Sequence, residues 1–417
     1  MVLQAGTESR YRQPTQSERN SLAADRAHIA VIDAKIMGLK RSLSLLRKER
    51  GLLQDRLDAY TYPVLTLPNE IVSEIFVHFL PVYPETPSLI GSSSPNLLGQ
   101  ICRKWREIVL STPALWRGIS LSLSNGKHID QKLRLLQLWL QRSGSCLLSI
   151  RMDLQIDPDD IDDDMYLSDP NLAASLDLFT HAIVAHSGRW EYLRLYLPDV
   201  HPFPSIGTPL PFLRELTMDS MNDSDSIAEA LHAAPLLQTV AVQFWHERCI
   251  SVYPWTQLTT FFEYGLLAHE CVDILTQAIN LVKCNVEFDW AEDEVSQPPR
   301  NVTHPCLSSL ILRGTIPDEM SWKLLDIFTL PALRKLEIVE RLLQDDPIGL
   351  LKLLISRSKC HMRELYMPDL DRRSLETYRL ALPAVGSIAR DKLDRVNPWL
   401  VLDDSEMTDY DSDSDSD

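Results

Sequence analysis

The sequence predicts a mixed chain of the α+β or α/β class in three parts: a long N-terminal helix, a small helical module and an irregular parallel-stranded solenoid. Three observations predict it. Apolar residues step by three and four for over five turns from Leu22, and two shorter amphipathic stripes follow between Leu65 and Ile119. Beyond Ile119, short segments of the form Leu-x-x-Leu-x-Leu recur at intervals of twenty to thirty residues.

The first part reads as a coiled-coil helix over residues 19–60. Leu22, Ile29, Ile36, Leu43 and Leu57 share one heptad position, and Ile32, Leu39, Leu46, Leu53 and Tyr60 share the other, which together make an apolar seam. Asp25 and Arg50 interrupt the seam, one towards each end, where a polar residue weakens association and can set register. In a parallel pair His28 would face Asp33, but Lys35 would face Lys40, a like-charge contact. The seam therefore serves either self-association, or a partner helix, or a long helix lying back on its own chain. Residues 1–18 are polar and expected to be disordered.

The second part, residues 61–120, begins with LTLPNEIVSEIFVHFLP. Pro68 suits the first position of a helix, and Glu70 places negative charge in the first turn, where the helix dipole favours it. Ile71, Val72, Ile75, Phe76, Phe79 and Leu80 then form one stripe, which Pro81 ends. A proline-rich surface excursion leads to LLGQICRKWREIVLSTPALWRGI, read as a second helix from Leu97 to Val109 and a last short turn at Ala114, Leu115 and Trp116. A unit this small buries little surface by itself, so its apolar faces must be covered by the rest of the chain or by a partner.

Leu67, Pro68, Glu70, Ile71, Ile75 and Phe76, then Cys102, Arg103, Trp105, Arg106, Pro113, Leu115 and Trp116, resemble the landmarks of the F-box, in the form common in mushroom-forming fungi. The resemblance covers about an eighth of the chain. It implies docking to a Skp-type adaptor and, through it, to a cullin, which makes the chain a substrate-recognition subunit of an SCF-type ubiquitin ligase. The adaptor-binding candidates are Leu67, Pro68, Ile71, Ile75 and Phe76, with Ile101, Cys102, Trp105, Ile108, Leu115 and Trp116. Some of these must form the module's own core instead, and the sequence does not divide them.

The third part, residues 121–395, carries the repeats. WEYLRLYLP, PFLRELTM, PLLQTVAV, PCLSSLIL, PALRKLEI and CHMRELYM form a series, with QLTTFFEY and CNVEFDW as weaker members. Anchored on Leu193, Leu216, Val240, Phe261, Val286, Leu310, Leu336 and Leu365, the steps are 23, 24, 21, 25, 24, 26 and 29 residues. A period in the twenties with this signature indicates leucine-rich repeats, here irregular because the usual asparagine is missing. An ordinary α/β sheet is the other architecture these segments allow. SDSIAEALHAA, HECVDILTQAINLV, SWKLLDIFTL and PIGLLKLLISRS read as intervening helices, and LWRGISLSL and CLLSIRMDL as degenerate strands joining the helical module.

Strand alternation points the residues flanking each anchor onto one face. Arg194, Tyr196, Glu215, Thr217, Gln243, Phe262, Tyr264, Glu287, Asp289, Arg313, Lys335, Glu337, Glu364 and Tyr366 are thus the substrate-binding candidates. Their mixture of aromatic, acidic and basic groups suits a protein or peptide.

Composition excludes several other classes. A net charge of -17 over 417 residues opposes generic nucleic-acid binding. Seven scattered cysteines without a Cys-x-x-Cys pair, behind a polar N-terminus, predict reduced thiols and a cytoplasmic or nuclear protein. No apolar run approaches the ~18 residues of a membrane span. Phosphate-cradling glycine loops, a His-Glu-x-x-His helix and a Gly-x-Ser-x-Gly elbow are all missing, so neither catalysis nor a cofactor or metal is expected. The acidic stretch DPDDIDDDMYLSD lacks the glycine and closing glutamate of a calcium loop. The acidic tail, residues 396–417, is too charged to fold; it either solubilises the chain or takes phosphate at Thr408, Ser412 and Ser414. A non-ligase scaffold or coiled-coil adaptor is the alternative function.

Overall fold

The computed structural model describes residues 15–59, 63–123, 128–154, 170–197, 203–219, 225–243, 253–288, 301–314, 323–344, 346–370 and 373–390. Most of the expected disordered N-terminus, the acidic stretch at 157–169, Tyr60, Asp289 and the acidic tail lie outside these residues. The chain divides into two units, one ending at Asn69 and the other beginning at Glu70.

In the first unit, helix α1 spans Gln16–Asp58. It begins within the stretch expected to be disordered because Thr15 closes a capping box. The Glu18 amide donates to the Thr15 hydroxyl at 3.3 Å, and the Thr15 amide donates to the Glu18 carboxylate at 2.7 Å. The seam residues from Leu22 to Leu57 are all exposed along it.

In the second unit an 11-stranded sheet runs β1 (Gly118–Ser122), β2 (Leu148–Asp153), β3 (Trp190–Tyr196), β4 (Glu215–Asp219), β5 (Thr239–Gln243), β6 (Thr260–Leu266) and β7 (Lys283–Phe288). It continues, past β8 (Val302–Thr303), with β9 (Ser309–Gly314), past β10 (Phe328–Thr329), with β11 (Lys335–Ile338), β12 (Glu364–Tyr366) and β13 (Ser387–Ala389). Every adjacent pair is parallel and neighbours follow chain order across the whole sheet. β8 and β10 form a separate parallel pair.

The register aligns Ile119, Ile150, Leu193, Leu216, Val240, Phe261, Cys284, Leu310, Leu336, Leu365 and Ile388 in one buried row. The anchor of β7 is therefore Cys284 and not Val286, which sits one turn of the pleat further along, in a second inner row with Leu195, Met218, Val242 and Leu312. Three residues before six successive anchors, from Leu216 to Leu336, lies another fully buried apolar residue: Leu213, Leu237, Leu258, Leu281, Leu307 and Leu333. At six successive strand starts one carbonyl accepts two consecutive amides of the next strand. The Arg214 carbonyl takes those of Gln238 and Thr239, and the pattern repeats down to Arg334, which takes those of Arg363 and Glu364. Backbone thus bonds to backbone at each strand start, with no asparagine needed.

Parallel neighbours that follow chain order need crossover connections, which in such sheets are right-handed as a rule. Helices α5 (Ile129–Arg142), α6 (Pro170–Val184), α7 (Asp225–His232), α8 (Ala268–Gln277), α9 (Pro347–Ser358) and α10 (Leu375–Ala381) occupy those connections and bury Trp139, Phe179, Leu231, Ile274, Leu351 and Tyr378. The described part of SWKLLDIFTL, residues 323–330, is not the helix its pattern predicts: a short 3-10 turn, Leu324–Ile327, leads into β10. Its backbone is held by α9 instead. Arg357 donates to the carbonyls of Leu325 and Phe328, and the Leu330 amide donates to the Ser358 hydroxyl at 2.8 Å.

Candidate docking surfaces

Helix α2 (Asn69–Phe79) places its apolar residues on two faces. Val72 and Phe76 point inward and are buried, whereas Ile71, Ile75 and Phe79, spaced by four, are 50%, 49% and 43% exposed. The second predicted helix is two helices, α3 (Pro95–Ile101) and α4 (Arg103–Ser111). Cys102 is extended between them, and Arg106 Nε donates to the Gly99 carbonyl at 2.8 Å, holding the two short helices together across the break. On α3, Leu97 and Ile101 repeat the four-residue exposed spacing, Ile101 at 59%.

The structure divides the predicted adaptor residues accordingly. Ile71, Ile75 and Ile101 are open; Cys102 and Trp105 are half-buried. Leu67 and Pro68 precede α2 in the first unit. Phe76, Ile108, Leu115 and Trp116 are sealed in the core and present no surface to a partner, a correction to their assignment as contacts. Phe76 meets Trp105 edge-on at 4.9 Å between ring centres. Trp116 meets Trp139 of α5 edge-on at 5.1 Å, carries the Arg142 guanidinium over its ring at 4.5 Å, and donates its indole N–H to the Val109 carbonyl at 3.0 Å. It also stands three residues before Ile119, in the first of the inner apolar positions that recur along the sheet. Phe79 and Leu97, exposed four residues from Ile75 and Ile101, extend the two open stripes beyond the predicted residues.

The proline-rich excursion runs over the surface, with Val82 84% and Ile90 52% exposed, and its middle residues pack on the sheet. Ser88 bridges Ser120 of the edge strand β1, the Ser149 hydroxyl donates to the Pro84 carbonyl at 2.6 Å, and the Tyr83 hydroxyl donates to Glu191 at 2.8 Å. Arg117 lies over the Tyr83 ring at 3.8 Å. This covers an edge that would otherwise offer unpaired backbone groups.

The face away from the helices carries three rows. One runs Tyr192, Glu215, Thr239, Thr260, Lys283, Ser309, Lys335 and Glu364; the next contains Arg194, Thr217, Phe262, Asn285, Glu337 and Tyr366; the third contains Tyr196, Asp219, Gln243, Tyr264, Glu287 and Arg313. Every predicted substrate-side residue among the described ones falls in these rows. Tyr196, Thr217 and Glu337 are nevertheless buried, flanked closely by their row neighbours, so they support the surface more than they present it.

Charges on this face are mostly paired across strands. Arg194 reaches Glu215 at 2.9 Å, Arg313 Nε donates to Glu337 Oε1 at 2.8 Å, and Lys335 lies 3.5 Å from Glu364 and 5.2 Å from the Tyr366 ring centre. Glu337 Oε2 is buried without a hydrogen-bond partner. Burial raises the Glu287 carboxyl above its ordinary range, with Arg313 pulling the other way. Among the described residues no three His, Cys, Asp or Glu side chains cluster as a metal site would need, and no helix is long and apolar enough to cross a membrane.

No protein-family model matches the chain, and no curated protein matches it.

Proposed function

We propose that this chain is a non-catalytic tethering subunit of an SCF-type ubiquitin ligase. Helices α2–α4 act as an F-box that docks a Skp-type adaptor and, through it, a cullin, in the cytoplasm or nucleus. The sheet is an irregular leucine-rich-repeat solenoid, and its three outward rows select a protein substrate. The observation that carries the docking role is the pair of exposed apolar stripes, Ile71, Ile75 and Phe79 on α2 with Leu97 and Ile101 on α3, outside a core that Phe76, Trp105 and Trp116 already complete. Surplus apolar surface on a folded module marks a partner site. The repeat reading is supported by the chain-order strand sequence and the recurring carbonyl that bonds two amides at each strand start.

Adaptor capture tests the proposal. The full chain retains a purified Skp-type adaptor, and the Ile71→Asp/Ile75→Asp variant loses it while remaining folded. A parent chain that captures no adaptor points to the scaffold function instead. Leu67→Ala with Pro68→Ala is expected to abolish capture as well, with the sheet still folded.

A further inference from the structure

The exposed seam of α1 has a charge pattern that selects one partner and one direction. Its two interruptions, Asp25 and Arg50, occupy opposite core positions of the heptad, and both are exposed along a helix of 43 residues. In a parallel pair each would meet its own copy, Asp25 against Asp25 and Arg50 against Arg50. An antiparallel pair changes this. The register that sets Asp25 of one copy opposite Arg50 of the other also sets Leu22 opposite Leu53, Ile29 opposite Leu46, Ile32 opposite Leu43 and Ile36 opposite Leu39. Each apolar core residue in that span faces an apolar one, and both charged layers become complementary. On the flanks, Asp33 falls beside Lys40 and His28 beside Glu49, against one like pair, Arg26 with Arg47.

The same register fixes a two-fold axis between residues 37 and 38, and the centre of α1, from Gln16 to Asp58, is residue 37. The two copies would therefore overlap along the whole helix, about 65 Å at 1.5 Å per residue. A shift by one heptad in either direction leaves one end unmatched and sets Asp25 or Arg50 against an apolar side chain. We propose that α1 pairs with a second copy of itself as an antiparallel coiled coil in which Asp25 and Arg50 face each other twice. Isologous self-pairing of this kind is what a two-fold dimer requires, and the inference stands apart from the adaptor-docking role.

Sedimentation equilibrium of the full chain tests it with charge reversals. The parent is expected to be a dimer. Arg50→Asp places two carboxylates in each charged layer, and Asp25→Arg places two guanidinium groups there. Each is expected to raise the dimer dissociation constant at least about a hundredfold, since like charges facing across an interface are strongly unfavourable. The double exchange Asp25→Arg/Arg50→Asp restores the complementary layers and recovers the parent's dimer. A monomeric parent overturns the proposal, as a partner helix from another protein would then be needed. Single reversals that leave the dimer unchanged also overturn it, because in a parallel pair they exchange one like pair for another. A double exchange that stays monomeric does the same, and circular dichroism confirms that the sheet-bearing unit is folded in every variant.

Discussion

Ile75→Asp and Trp116→Ala separate the proposed docking face from the core within one small module. Ile75 is half exposed, so replacing it forfeits only the burial of its inner half, about 1 kcal/mol of folding stability. In a complex the remaining half of the side chain would be covered, worth about 1–1.5 kcal/mol. A carboxylate at that place would lose water without gaining a partner, adding about 2 kcal/mol or more. Together these reach about 3 kcal/mol, at least a hundredfold in adaptor affinity. Trp116 has no exposed surface, and its truncation removes the contacts to Trp139 and Arg142 and the donor to the Val109 carbonyl. A loss of about 3–5 kcal/mol in folding stability is expected. Calorimetric titration with a Skp-type adaptor and urea unfolding of the same preparations read both quantities. The division of the module is refuted if Ile75→Asp unfolds as early as Trp116→Ala. It is equally refuted if Ile75→Asp binds the adaptor with the parent's affinity.

Three further outcomes follow from the sheet. Gly314 has φ +84, and a Cβ there would lie 2.1 Å from the Phe288 carbonyl oxygen, so Gly314→Ala is expected to cost about 3 kcal/mol, read from its urea midpoint. His304 is buried as the neutral imidazole, with Nε2 donating to the Ala278 carbonyl at 2.8 Å and Nδ1 accepting the Leu307 amide at 3.1 Å; burial holds its pKa below the ordinary 6.5. Below pH 6.5 the unfolded chain binds a proton that the native imidazole refuses, so stability falls as pH drops from there towards the native pKa. His304→Gln, which keeps a donor and an acceptor, should reduce that slope between pH 7.5 and 5.5 in urea titrations, leaving the same-direction contribution of His186. Burial pushes the Cys284 thiol up to about 12 and Cys271 well above its usual value, so mass-mapped alkylation at pH 8 should label exposed Cys306 early and these two only after unfolding.

Much of the sheet was legible because its inner rows are read directly from apolar spacing. The step from Leu213 to Leu216 to Met218 recurs with few changes, and the alternation that follows fixed the outward face, on which Arg194, Glu215, Phe262, Tyr264 and Tyr366 do stand. The signal failed where a short residue or a charge replaced a large apolar one. In β7 the anchor is Cys284, and the bulkier Val286 drew the reading two residues along. β13 escaped, although Pro383, Val385 and Ile388 keep the spacing of Pro211, Leu213 and Leu216, because Arg390 stands two residues after its anchor where β4 has Met218 and the chain after β12 has Met367. The inner rows also tolerate Glu263, whose burial no periodicity would have announced. Tertiary bonds decided the remaining differences: Arg357 and Ser358 hold a helix-like pattern extended at β10, and the break at Cys102 lies inside an unbroken apolar stripe.

The division between core and surface in α2 was the part least accessible to sequence, and the reason is geometric. Val72 and Phe76 are separated from Ile71 and Ile75 by one residue, about 100° around the helix, so both pairs belong to one broad stripe. Only the position of the neighbouring elements decides which edge of the stripe is covered. Here α4 supplies Trp105 against Phe76, and Trp116 ties the end of the module into the first inner position of the sheet. The module and the sheet thus share Trp116, and residues 83–88 lie over β1 and its neighbours while leading from α2 to α3. Both contacts fix the open edge of α2 relative to the outward rows without an intervening flexible linker. Under the proposed tethering role, the distance between a docked adaptor and a bound substrate would be set by packed side chains, not by the reach of a loop.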